Sequence, residues 1–299
     1  MAFKSCVPEI ARLSSRVISI LGCNPGPMTL QGTNTYLIGT GKRRILLDTG
    51  DENVPQYIAN LSKVLKDEVC DIEHVVVSHW HHDHIGGVPD VLKLTKSDCK
   101  VWKYQQIDED GNLVPSEIPF NCLSNGQVLS TEGASLRVIH TPGHTTDHVV
   151  LTLDEDGVLF SADTVLGEGT AVFEDLKDYM NSLHVIKDAK PKVIFPGHGP
   201  VIENPDQVVA YYIAHRQNRE DQIVSVLKKA HQPLSAAEIV QTIYSDLDER
   251  LLLAAENNVI KHLIKLVKEE KVIEIDDKWQ KILSPCGTLY TPCIYLAWT

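Results

Sequence analysis

Up to about residue 200, short apolar runs alternate with turn-forming polar stretches; beyond it the apolar positions recur at helical spacing. The runs at residues 17–21, 35–38, 44–47, 75–77, 136–139, 157–162 and 192–195 read as strands. Val75-Val76-Val77 has no polar position, so that strand is expected to be buried on both faces. Residues 35–38 and 44–47, joined across Gly39-Thr40-Gly41-Lys42, form a predicted hairpin. Residues 56–66 are amphipathic at helical period, and Gly86-Gly87 precedes a further helix through Val91 and Leu92.

Asn204-Pro205-Asp206 opens a long helix to about residue 230, with Pro at its start and an acidic first turn. Pro233 separates it from a compact unit. There Ser235-Ala236-Ala237-Glu238 is a capping box, helices are expected over 236–244 and 251–270, and residues 272–275 and 279–283 pair around Asp276-Asp277. Three helices and a hairpin are the outline of a winged helix, here spanning residues 215–283. On the third helix Ile260, Leu263, Ile264 and Val267 are expected in the core. Lys261, Lys265 and Lys268, at i, i+4 and i+7, share an outer face that either tracks a phosphate backbone or is an ordinary solvated face. Residues 284–299, apolar and aromatic without any period, stay unassigned.

Candidate chemistry sits where strands end. Val77 is followed by Ser78-His79-Trp80-His81-His82-Asp83-His84. If that run stays extended, His79 and His81 point to one side, while Asp83 and His84 at the next bend face a second point nearby. Imidazole and carboxylate together suit zinc, or manganese or iron, and burying so much titratable polarity without a cation would leave several groups unsatisfied. Three further runs end the same way: 136–139 leads to Thr141-Pro142-Gly143-His144, 157–162 to Asp163, and 192–195 to Pro196-Gly197-His198-Gly199. His148, four after His144, reads as support or proton donor for these groups, or as a hydrogen-bonded strand-edge residue. No Gly-x-Ser-x-Gly elbow offers a serine nucleophile.

His79-Trp80-His81-His82-Asp83-His84, followed by a lone His144, then Asp163, then His198, resembles the signature of the metallo-β-lactamase superfamily. Segments without ligands narrow the likeness: Leu30-Gln31-Gly32-Thr33-Asn34-Thr35-Tyr36-Leu37-Ile38-Gly39, Leu166-Gly167-Glu168-Gly169-Thr170, Phe173-Glu174-Asp175-Leu176, Asp178-Tyr179-Met180-Asn181-Ser182-Leu183 and Lys278-Trp279. Together they resemble a eukaryotic family of β-lactamase-like mitochondrial endoribonucleases, grouped with the glyoxalase II branch. The resemblance implies an α/β fold: an αββα sandwich over residues 1–214 with a dinuclear site at one edge, followed by the winged-helix-like unit. It implies two Zn2+ per chain, with Mn2+ or Fe2+ as alternatives. One cation would be held by His79, His81 and His144, the other by Asp83, His84 and His198, with Asp163 bridging and Asp48 behind the histidines unless it merely forms a turn. Asp83 and Asp163 would then serve catalysis through a hydroxide shared by the cations, attacking a phosphodiester of single-stranded RNA. Thr170, Tyr179 and Asn181 become candidates for substrate contact. The alternative is a thioester hydrolase of the glyoxalase II type. A third reading, a nucleic-acid-binding adaptor with a silent lactamase fold, is disfavoured by the complete ligand set.

Composition changes this picture in two places. The formal charge of -12 argues against a polyanionic partner. However, residues 215–283 carry 11 of the 28 Lys and Arg and 12 of the 40 Asp and Glu, leaving 17 against 28 elsewhere, so the acidic excess falls on the domain where two divalent cations would offset it. The seven cysteines, scattered and without Cys-x-x-Cys spacing, read as reduced intracellular thiols. No apolar run approaches a membrane span, and residues 1–22 lack a secretory apolar block. Lys4, Arg12 and Arg16 among serines give a faint transit-peptide flavour. The resemblance implies the mitochondrial matrix, with the cytoplasm as alternative, and no obligate protein partner.

Overall fold

The computed structural model describes residues 6–95, 98–108, 110–244 and 248–282, so the apolar segment 284–299 lies outside the described residues. The chain divides into two compact units, Met1–His215 and Arg216–Thr299.

The first unit is built on two sheets. Strands β1 (Ile10–Arg12), β2 (Val17–Leu21), β3 (Asn34–Ile38), β4 (Arg43–Leu47), β5 (Asp71–Val77), β6 (Lys100–Lys103) and β7 (Asn121–Cys122) lie in that order, antiparallel up to β4 and parallel from β4 on. The other sheet is β8 (Val128–Thr131), β9 (Ala134–His140), β10 (Val149–Leu153), β11 (Val158–Ala162) and β12 (Val193–Pro196), antiparallel except for the parallel pair β11–β12. The sheets bury a common core in which Val17, Tyr36, Ile45 and Val76 meet Leu136, Val149, Phe160 and Phe195.

Strand alternation then sends the neighbouring residues outward. Ile18, Leu37, Leu46, Val75 and Val77 pack under helices α1 (Pro55–Asp67) and α3 (Val88–Leu94). Val150, Leu159 and Ile194 pack under α4 (Leu176–Ala189) and the first turns of α5 (Pro205–Lys229). The result is an αββα sandwich. Because β4 and β5 are parallel, both end at one edge; so do β11 and β12, and β3, antiparallel to β4, begins there. That edge collects every segment in which the sequence placed a ligand.

The second unit combines the later turns of α5 with α6 (Ala236–Ile243), α7 (Glu249–Lys268) and a hairpin of β13 (Val272–Ile275) and β14 (Lys278–Lys281). Ser235 caps α6, and Glu238 closes the reciprocal half of the capping box. Ile223, Ile239, Val259, Leu263, Leu266 and Trp279 form its core. The expectation for α7 is corrected at two positions. Ile264 faces solvent at 42% exposure, whereas Lys265 is only 7% exposed, its ammonium bound to Glu220 and Glu269. Lys261 is half-buried and Lys268 exposed. The three lysines therefore do not form a continuous outer stripe, because a glutamate on α5 draws the middle one inward.

Candidate metal centre

After Val77 the chain bends through Ser78–Trp80 and turns into α2 (His82–Ile85), so the ligand run does not stay extended. The bend and the helical turn bring His79, His81 and His84 together. Loop 141–148 between β9 and β10 brings His144, the end of β11 brings Asp163, and the turn after β12 brings His198. Two groups of donor atoms result, His79, His81, His144 and Asp163 in one and Asp83, His84 and His198 in the other.

Tautomers follow from the acceptors behind the rings. Nδ1–H of His84 donates to Asp48 Oδ2 at 2.8 Å, that of His144 to the Val172 carbonyl at 2.8 Å, and that of His198 to the Gly32 carbonyl at 3.2 Å. Each proton fixed at Nδ1 leaves an Nε2 lone pair facing the cluster. There His79 Nε2 and His144 Nε2 both lie 3.0 Å from His81 Nδ1, and His84 Nε2 lies 3.4 Å from His198 Nε2. Facing lone pairs repel unless a proton or a cation sits among them.

Asp163 reaches both groups, with Oδ1 3.3 Å from His84 Nε2 and Oδ2 3.6 Å from His144 Nε2 and 3.4 Å from His198 Nε2. Its Oδ1 is buried without a hydrogen-bond donor. Convergent lone pairs and an uncapped buried carboxylate oxygen are the donor set that borderline divalent ions take.

The electrostatics divide along the same line. Burial pushes His79 and His144 below the ordinary imidazole range and His81 down to about 4. Burial acts the same way on His84 and His198, yet Asp163 with Asp83 and Asp48 outweighs it at His84, and Asp163 with Asp83 raises His198 to about 9. Burial would raise Asp83, but His84 and His198 hold it well below the usual carboxylate range. His79, His81 and His144 are thus neutral and electron-rich at physiological pH, whereas His84 and His198 face the carboxylates Asp83 and Asp163, whose positive partner can be a proton or a metal.

The supports are equally specific. Asp48, held at φ 57°, accepts from Ser78 N at 2.8 Å and Ser78 Oγ at 2.9 Å as well as from His84. Ser78, a residue without an expected role, also reaches His79 Nδ1 at 2.9 Å. His148 is fully buried: its Nε2 accepts from the Asp163 backbone N–H at 3.2 Å, and its Nδ1 lies 3.0 Å from Thr141 Oγ1 and 3.2 Å from Thr164 Oγ1. Both nitrogens are engaged, so His148 holds the Asp163 backbone and is not a proton donor to substrate.

Gly143, at φ 127°, lies where a Cβ would strike the Tyr179 backbone, and a Cβ on Gly197 would strike Asp163 Oδ1. Tyr179 is fully buried, its hydroxyl donates to Thr164 O at 2.7 Å and its ring stacks on Phe173. It therefore supports the loop and does not touch substrate, which corrects the expectation. Thr170 is exposed and lines the cavity over the ligands, whereas Asn181, exposed on α4, is not part of that lining. The cavity, about 200 Å³, is walled by Pro27, Met28, Leu30, Leu166, Ala171 and Val172 and holds no Lys or Arg among the described residues.

The chain belongs to the metallo-β-lactamase superfamily, a superfamily of metal-dependent hydrolases, whose profile matches residues 28–198. A second profile, the beta-lactamase associated winged helix domain, matches residues 235–279. Among individual proteins the chain is similar to the Beta-lactamase-like protein 2 homologs of Drosophila melanogaster, 53% identical over 89% of this chain and 92% of that protein, and of Caenorhabditis elegans, 45% identical over 88% of each. Thioesterase pkgB of Emericella nidulans is 44% identical over 74% of this chain and 62% of its own length. A beta-lactamase domain protein from Burkholderia ambifaria shares the fold, with a TM-score of 0.76 at 20% identity over 93% of this chain and 96% of that one. No helix among the described residues is long and apolar enough to cross a membrane.

Proposed function

We propose that the chain is an endoribonuclease that hydrolyses phosphodiester bonds of single-stranded RNA, using two divalent cations, zinc in the first instance. The observation that carries the reading is Asp163, which reaches both ligand groups at once. Two cations sharing a carboxylate would lower the pKa of a water and stabilise both the attacking and the leaving oxygen of an in-line displacement at phosphorus. His79, His81 and His144 would hold one, Asp83, His84 and His198 the other. Thr170 supplies the one hydroxyl among the lining residues, and no Ser or Cys is found there, which favours water as the nucleophile.

The lining has no Lys or Arg for a phosphate, which leaves that charge to the bound cations, while Met28, Leu30 and Val172 offer apolar surface to an unstacked base. A helix-and-hairpin module of a kind used against nucleic acid supports the reading, as does likeness to the beta-lactamase-like protein 2 homologs. A mitochondrial matrix location goes with it and accords with the free thiols of Cys6, Cys23, Cys70, Cys99 and Cys122; the cytoplasm is the alternative.

The apolar lining and the similarity to a protein named as a thioesterase favour a second reading, hydrolysis of a thioester. Parallel turnover of a single-stranded RNA and of S-lactoylglutathione by one metal-loaded preparation separates the two. RNA cleavage without thioester turnover is the expected result, and the reverse would replace the first reading with the second.

A further inference from the structure

Residues 32–36, a motif to which the sequence assigned no chemistry, tie down one half of the ligand cluster. Asn34 begins β3 and is 3% exposed. Its backbone N–H donates to the Gly197 carbonyl at 2.7 Å, and its side-chain amide donates to the Pro196 carbonyl at 3.0 Å and the Gly199 carbonyl at 2.8 Å. Two residues along and on the same face of the strand, the Tyr36 hydroxyl donates to the same Pro196 carbonyl at 2.7 Å. Burial pushes this phenol well above its ordinary range, so it remains a donor. Thr33 bridges to His198 in the backbone, Gly32 accepts from His198 Nδ1, and the Thr33 hydroxyl donates to Asp83 Oδ2 at 3.3 Å.

Every one of these bonds ends on His198, on the turn 196–199 that carries it, or on Asp83. None of them ends on His79, His81 or His144; His79 takes its support from Ser78 and His144 from the Val172 carbonyl. A four-residue turn rich in glycine has little stiffness of its own, so the direction of the His198 ring is set by what grips its carbonyls.

We propose that Asn34, seconded by Tyr36, is a positioning residue selective for the cation held by Asp83, His84 and His198, leaving the cation held by His79, His81 and His144 independent of it. This rests on the cation-binding reading of the cluster but not on any choice of substrate. The neighbouring Thr35 is equally buried, but its hydroxyl points away, to the Ile20 carbonyl at 2.8 Å, and provides a matched control.

The test is Co2+ titration of metal-free wild type, Asn34→Ala, Tyr36→Phe and Thr35→Val, followed by the absorption bands of each equivalent and by elemental analysis, with circular dichroism to confirm folding. Wild type and Thr35→Val should bind two equivalents. Asn34→Ala should keep the first equivalent with its spectrum unchanged and bind the second about 10–100-fold more weakly, the usual cost of losing a ligand's outer partner. Tyr36→Phe, which removes one oxygen atom and should fold even if Asn34→Ala does not, should weaken the second equivalent alone by a smaller factor. Loss of both equivalents together in folded Tyr36→Phe or Asn34→Ala, or no change in either variant, would overturn the inference. A wild-type chain that binds no cation would remove the cation-binding reading itself and the inference with it.

Discussion

Lys103 and Asp147 form an ion pair, Nζ to Oδ2 at 2.5 Å, with side chains 3% and 0% exposed. Lys103 also donates to the Tyr104 carbonyl at 3.1 Å and stands 5.3 Å from the centre of the Phe120 ring; Asp147 accepts from the Thr145 hydroxyl at 2.7 Å. Asp147 lies between His144 and His148, so this pair anchors the loop that carries one ligand and the support of another. Lys103→Met keeps the length of the stem but strands a buried carboxylate, which costs about 3–5 kcal/mol. In a unit of this size each kcal/mol corresponds to about 2–4 °C, so the transition should fall by roughly 6–20 °C. Adding Asp147→Asn removes the stranded charge, and the double variant should recover about 2 kcal/mol or more relative to Lys103→Met alone. The assay is urea unfolding of wild type, both single variants and the double variant under one set of conditions. A Lys103→Met loss below about 1 kcal/mol, the worth of an exposed pair, would refute the claim that this pair is desolvated.

Gly197→Ala places a methyl group against Asp163 Oδ1, so hydrolytic activity and metal content should drop together while circular dichroism stays unchanged; full metal content would contradict the close approach. Burial lowers His262, in the second unit, to about 4 from an ordinary 6.5. Below pH 6.5 the unfolded chain then binds the proton that the folded chain refuses, so stability complete above 6.5 should fall by about 3 kcal/mol as the pH drops to 4. Urea unfolding across that window should show a shallower acid limb in His262→Gln, and identical limbs would refute the assignment. Replacing Lys261 and Lys268 by Gln should flatten the salt dependence of RNA binding by about 1.4 in log–log slope if both contact phosphate; an unchanged slope would make them a solvated face.

The ligands were legible because each lies just past the end of an apolar run, and His144 and His198 also sit in Gly- and Pro-containing turns, a purely local signal. Sandwich layers followed from the same runs, since Val75 and Val77 face α1 while Val76 faces the second sheet. What the sequence could not show depends on partners distant in the chain. Periodicity put Lys265 on an outer face, and Glu220, 45 residues away, draws it in. Tyr179 became a candidate for substrate contact through a segment that carries the family resemblance, but it is fully buried, with Gly143 passing close against its backbone. His148 was singled out correctly as unusual, yet its engagement by Thr141 and Thr164 needs β9, β10 and β11 in register. Strand β1 escaped notice because Ile10–Arg12 is short and exists only by pairing with β2. Asn34 lay in plain view within a motif, but nothing local tells that its amide meets a turn more than 160 residues later.

The central claim is that two cations sharing Asp163 hydrolyse single-stranded RNA. Metal-free protein titrated with Zn2+, and in parallel with Mn2+, while the cleavage of an end-labelled single-stranded RNA is followed, tests it directly. Cleavage should rise only as the second equivalent binds, and Asp163→Ala should stay inactive at every concentration. Full cleavage at one equivalent, or none at two while S-lactoylglutathione is hydrolysed, would contradict it.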